Sequence, residues 1–92
     1  MSINKTNEGL NNICGVNISK FRKELGISQR ELADKLQLIG LDVDKNAIQR
    51  IECGKWFVTD IELVSFAKIF GKTFEELLNN TSLLTPRLAV LY

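Results

Sequence analysis

Ninety-two residues with a net charge of +1 are enough for one domain with a modest core and no more. The chain contains no histidine, which removes histidine general bases and histidine metal ligands. It also lacks a glycine-rich phosphate loop, so neither enzymatic activity nor a cofactor is expected.

Charge is distributed unevenly. Residues 1–55 hold nine Lys and Arg against seven Asp and Glu, and residues 56–92 hold three against four. Any nucleic-acid affinity therefore rests on a few phosphate contacts from the first half and should be salt-sensitive. The two cysteines, Cys14 and Cys53, fit neither a zinc spacing nor a C-x-x-C pair and read as reduced thiols. Met1 leads into a polar stretch rather than a basic and then apolar leader, and no apolar run reaches membrane-spanning length. A cytoplasmic protein with no membrane contact is expected.

Residues 1–12 are polar, with Gly9 among them, and read as a flexible N-terminal arm. A first helix is predicted from about Ile13 to Leu25, because Ile18, Phe21 and Leu25 recur at intervals of three and four, with Cys14 one turn earlier and Gly26 as the stop. Arg22 lies beside this buried stripe, where a charge needs a partner; the alternative is a surface arginine whose stem covers apolar neighbours.

The second helix begins with Ser28 and Glu31, spaced as a capping box, and places Leu32, Ala33 and Leu36 on one face. Asp44 is a good cap for a third helix, with Ala47, Ile48 and Ile51 as its inner stripe and Gly54 in the position after its end. Lys45, Asn46, Gln49 and Arg50 then share the outer face. Two amides and two cations, with no carboxylate after the cap, suit hydrogen bonding to base edges and phosphates; the plainer reading is a solvated helix face.

Gly54 to Val58 follows as a turn in which Lys55 is placed to meet phosphate and Trp56 to lie against sugar or backbone; the plainer reading is that Trp56 half-covers the core while Phe57 and Val58 pin the next helix. A second box, Thr59 with Glu62, opens the fourth helix. Its residues Ile61, Leu63, Val64, Phe66, Ala67 and Phe70 make it apolar over much of its surface and mark it as the central core helix. A third box, Thr73 with Glu76, opens the fifth, whose Phe74, Leu77 and Leu78 are expected to close the core. The segment 79–92 is apolar from Leu83 and reads as a tail that packs back on the domain or against a second subunit. Three such boxes in a short chain, with no strict alternation anywhere, predict an all-α fold.

The strings Ser28-Gln29-Arg30-Glu31-Leu32-Ala33 and Ile48-Gln49-Arg50-Ile51-Glu52-Cys53-Gly54-Lys55 resemble the helix-turn-helix domains of the Cro/C1 (XRE-like, phage-repressor) family. Cys14-Gly15 with Ile18 to Arg22 looks like the family's first helix, and Thr59 to Leu78 like its fourth and fifth. The resemblance covers about residues 13–78 and implies a compact five-helix, lambda-repressor-like domain. It also implies that Arg22 pairs with Glu52 and so sets the angle of the third helix. Two departures stand out. The stretch from Gln37 to Val43 makes the link between the central helices about five residues longer than the family pattern, with Leu38, Ile39, Leu41 and Val43 in it. Val58 stands where proline is frequent.

The function expected on these grounds is sequence-specific binding of double-stranded DNA by a transcriptional regulator, a repressor by resemblance, acting as a homodimer. Lys45, Asn46 and Gln49 would meet base edges, Arg50 phosphate or guanine, Lys55 phosphate, and Gln29 phosphate at the positive start of its helix. The alternative is a protein-interaction module, such as an antitoxin or anti-repressor subunit.

Overall fold

The computed structural model describes residues 9–79. The first part of the expected arm and the apolar tail from residue 80 lie outside the described residues. Five helices follow one another: α1 (Gly15–Glu24), α2 (Gln29–Leu38), α3 (Lys45–Glu52), α4 (Asp60–Phe70) and α5 (Phe74–Leu78). No strand occurs among the described residues.

Each helix start is secured by a side chain close to it in sequence. Ser28, Thr59 and Thr73 accept the backbone N–H three residues on, and Glu31, Glu62 and Glu76 reach back to the cap N–H, so all three capping boxes form. Asp44 Oδ1 accepts the Ala47 N–H at 2.9 Å and caps α3. The start of α1 differs. Its cap residue Cys14 makes no side-chain cap bond, and Asn12 Oδ1 instead accepts the Gly15 N–H at 2.8 Å, which moves the helix start two residues past Ile13.

The core is built from the inner stripes read in the sequence, except that Leu25, read into the first stripe, lies past the end of α1 and is exposed. Ile18, Leu32, Leu36, Ile48, Ile51, Phe66 and Leu77 are fully buried, with one to two residues from each of the five helices. Phe70 joins the aromatic centre, 5.9 Å from Phe21 and 6.2 Å from Phe66 between ring centroids. α1 and α3 approach each other closely: a Cβ on Gly15 would stand 2.1 Å from the Ile51 carbonyl oxygen, so only glycine fits there.

α4 departs from the expectation of a central helix. It turns Phe66, Phe70 and the Glu62 carboxylate inward, while Ile61 is 69% exposed and Val64 also faces out. Glu62 occupies part of the inner face: its carboxylate accepts the Thr59 N–H at 2.8 Å and the Trp56 indole N–H at 3.2 Å, while Leu63, Ala67 and Ile69 pack partly buried against the core. Trp56 itself is half-buried against the core. Of the residues expected to pin α4, Val58 is partly buried against the core and Phe57 is exposed. α5 has only five residues and presents Leu77 inward, leaving Phe74 and Leu78 exposed where both were expected in the core.

The long α2–α3 link is ordered by its own hydrogen bonds. The chain turns at Gly40, the Leu41 N–H reaches the Leu36 carbonyl at 3.0 Å, and Gln37 Nε2 donates to the Val43 carbonyl at 2.8 Å. Val43 is buried and Leu41 half-buried, whereas Leu38 is 86% exposed and Ile39 also faces solvent. The extra residues thus supply two apolar anchors beneath the start of α3 and two apolar side chains outside.

Candidate nucleic-acid interface

α3 is a short helix with two unlike faces. Ala47, Ile48 and Ile51 are buried, and Lys45, Asn46, Gln49 and Arg50 are all exposed. The helix ends in a Schellman turn. Gly54 lies at φ 82°, its N–H reaches the Ile51 carbonyl at 3.1 Å, and the Lys55 N–H reaches the Arg50 carbonyl at 2.9 Å. Lys55 leaves this turn with its side chain exposed. The exposed Cys53 Sγ lies 3.7 Å from the Arg50 carbonyl.

Beneath the outer face, three helices meet at one carboxylate. Arg22 of α1 donates from Nε to Glu52 Oε2 at 2.6 Å and from Nη2 to Oε1 at 3.1 Å. Its Nη1 donates to the Ile27 carbonyl at 2.8 Å, so the guanidinium also ties down the approach to α2. Gln29, the first residue of α2, donates from Nε2 to Glu52 Oε1 at 3.0 Å. Glu52 therefore accepts three charge-assisted bonds from two other helices, in a site where the Arg22 and Glu52 side chains are only 12% and 8% exposed. A carboxamide nitrogen carries two hydrogens, so Gln29 keeps a second N–H besides the one given to Glu52.

Sequence reasoning left out several residues that the geometry brings to this surface. Arg30 is exposed on α2 and shares an open groove of about 350 Å³ with Gln37, Lys45 and Asn46; Asp34 and Asp44 also line it. Its register on the outer side of α2 was the signal available. Asn11 and Asn12, expected in the arm, instead bond to the chain after α3, a long-range contact with no local signature.

Titration behaviour around the site follows from hydrogen bonds and burial. The Ser28 backbone N–H, and then its hydroxyl, hold the Glu31 carboxyl below its ordinary range. Burial pushes the Cys14 thiol up to about 11, which keeps it protonated and unreactive. Among the described residues no group of three or more Cys, Asp or Glu side chains is arranged to hold a metal ion, and no helix is long and apolar enough to cross a membrane.

Two helices joined by a turn, the second with a buried stripe and a polar outer face free of carboxylates, supported from behind by a third helix, define a helix-turn-helix DNA-binding regulator. The chain belongs to the helix-turn-helix family: the family model so described matches residues 18–77. This is the family its central motifs resemble. Comparison with curated protein sequences finds no match.

Among solved structures the chain is similar to the repressor protein c2 of P22, solved in complex with synthetic operator 9T. The TM-score is 0.62 and the identity 24%, over 73% of this chain and 94% of that one. It is also similar to the hypothetical transcription factor NHTF from Neisseria, with a TM-score of 0.64 and 23% identity over 91% of this chain and 85% of that one. At such identities the likeness is one of fold.

Proposed function

We propose that this helix-turn-helix regulator reads double-stranded DNA sequence-specifically through α3, and that it acts as a homodimeric repressor. The observation that carries the reading is the outer face of α3, where Lys45, Asn46, Gln49 and Arg50 stand exposed over a fully buried inner stripe. Asn46 and Gln49 suit adenine edges, and Lys45 and Arg50 suit guanine or phosphate. Lys55 and the second N–H of Gln29 meet the phosphates on either side. Arg30 extends the cationic edge along α2. The P22 protein, of like fold, was solved on an operator, which supports this pose.

Dimerisation is supported by the apolar side chains left outside on α4 and α5: Ile61, Val64, Phe74 and Leu78. The tail proposed as a further dimerisation element lies outside the described residues.

The test is selection of bound duplexes from a random pool at moderate salt. Enrichment of a half-site repeated at about one helical turn, 10–10.5 base pairs, is expected for the dimer. On the enriched site, Asn46→Ala or Gln49→Ala should each cost about 1–3 kcal/mol with little change on random DNA. A flat pool together with a stable co-purifying protein would replace this reading by the protein-interaction one.

A further inference from the structure

The loop that follows α3 has no regular structure of its own between Cys53 and Thr59, yet its backbone carbonyls are taken one after another by two asparagines that precede α1. The Asn11 N–H donates to the Gly54 carbonyl at 2.7 Å, and Asn11 Nδ2 to the Lys55 carbonyl at 2.9 Å. Asn12 Nδ2 donates to the Trp56 carbonyl at 2.8 Å and to the Ile51 carbonyl, in the last turn of α3, at 3.2 Å. At the same time Asn12 Oδ1 accepts the Gly15 N–H and so caps α1. Leu10 closes the arrangement by lying over Gly54, where a Cβ would come within 2.8 Å of Leu10 Cδ2.

We infer that Asn11 and Asn12 are positioning residues for DNA binding: they fix the Gly54–Trp56 loop against α1 and thereby hold Lys55 at a set height beside the reading helix. The inference rests on the reading of α3 as the DNA-facing helix. Residue chemistry supports it. A carboxamide is the short side chain that can accept one peptide N–H while giving both of its own hydrogens to carbonyls, as Asn12 does. Aspartate keeps the cap but has no donor, and serine has only one.

Asn11 points the same way. Its Oδ1 is buried without a hydrogen-bond partner, a cost to folding that the residue carries while its N–H groups hold the two loop carbonyls. Charge attraction to phosphate depends on distance, so a loop free to swing would weaken the contact of Lys55 even with its charge intact.

The experiment measures affinity for the selected duplex against salt concentration, with the full chain and with Asn12→Asp, Lys55→Ala and the double variant. Asn12→Asp preserves shape and the acceptor for Gly15, turns an oxygen towards the Ile51 and Trp56 carbonyls, and adds a negative charge whose own repulsion from phosphate would persist undiminished on the Lys55→Ala background. In a variant that still melts cooperatively, affinity should fall about tenfold, the size of one charge-assisted bond. The slope of log K against log salt should shrink by about 0.9, one phosphate contact. Lys55→Ala should add little on top, since the contact is already lost.

Wild-type affinity and slope in folded Asn12→Asp, or losses that add fully in the double variant, overturn the inference. If Asn12→Asp does not fold, Asn11→Ala gives the same readouts. It removes the Nδ2 bond to the Lys55 carbonyl together with an unsatisfied buried acceptor, two losses that offset each other in stability, so affinity and slope should drop with little change in Tm, and unchanged binding overturns the role. Failure of the unaltered chain to enrich any duplex refutes the DNA reading first, before any variant is compared.

Discussion

Truncating Glu52 to alanine removes the acceptor at which α1, α2 and α3 meet. The substitution deletes both bonds to Arg22 and the bond from Gln29, and leaves the guanidinium with the Ile27 carbonyl. An exposed ion pair would contribute about 0.2–1 kcal/mol. Breaking a buried one costs about 3–5 kcal/mol, because the remaining charge stays desolvated. With side chains 12% and 8% exposed, this pair lies near the buried limit, and the structure predicts a loss of about 3 kcal/mol.

For a domain of this size each kcal/mol moves Tm by about 4–8 °C, so a fall of roughly 12–24 °C is expected. Thermal melts followed by circular dichroism, with urea titrations at constant m, measure it. Glu52→Gln should cost less, because its amide oxygen still accepts one bond. The double variant Arg22→Met with Glu52→Leu should recover much of the stability, because no charge is left stranded. A Glu52→Ala change within about 0.5 kcal/mol of zero, the usual scatter of surface substitutions, would refute the reasoning.

Three further outcomes follow from the same geometry. Gly15→Ala forces a methyl into the Ile51 carbonyl and should destabilise by about 2 kcal/mol, read by urea unfolding; a neutral result would mean that α1 and α3 separate freely. A thiol reagent at pH 8 should label the exposed Cys53 quickly and Cys14 only on unfolding. The Cys14 thiol, raised from 9.0 to about 11, also makes a contribution to stability that is full below 9.0 and lost as pH rises through 11. Glu31 and Glu76 are held below their ordinary 4.5 by the Ser28 and Thr73 backbone N–H groups. Their contribution is therefore full above 4.5 and lost as pH falls through the lower folded-state values, and acid melts of Glu31→Gln with Glu76→Gln should show a shallower decline.

Much of the fold was legible because its signals are local. The three boxes from Ser28, Thr59 and Thr73 span four residues each, and the stripe Ala47, Ile48, Ile51 repeats within one helix. The orientation of α4 was not legible. Counting apolar residues favours burial of Ile61 and Val64, whereas the inner face holds the Glu62 carboxylate, bonded to the Trp56 indole across the short loop before α4, a pairing that periodicity does not show. Nor was it legible that α5 would bury Leu77 alone and leave Phe74 and Leu78 exposed, since the three positions share a helix face. At the candidate interface, the face of α3 followed from its period. The bonds of Asn11 and Asn12 join positions some forty residues apart, and pairing at that separation leaves no trace in spacing or pattern.

α3 is anchored at both ends, by Val43 and the Gln37 bond before it and by Glu52, Asn12 and the Schellman turn after it. A helix so braced has little conformational freedom to lose and little shape to give. On the proposed reading, where its surface and a straight duplex disagree the bending would fall to the nucleic acid, and the flexible pyrimidine–purine steps of a target would join what is recognised even where no side chain reaches them.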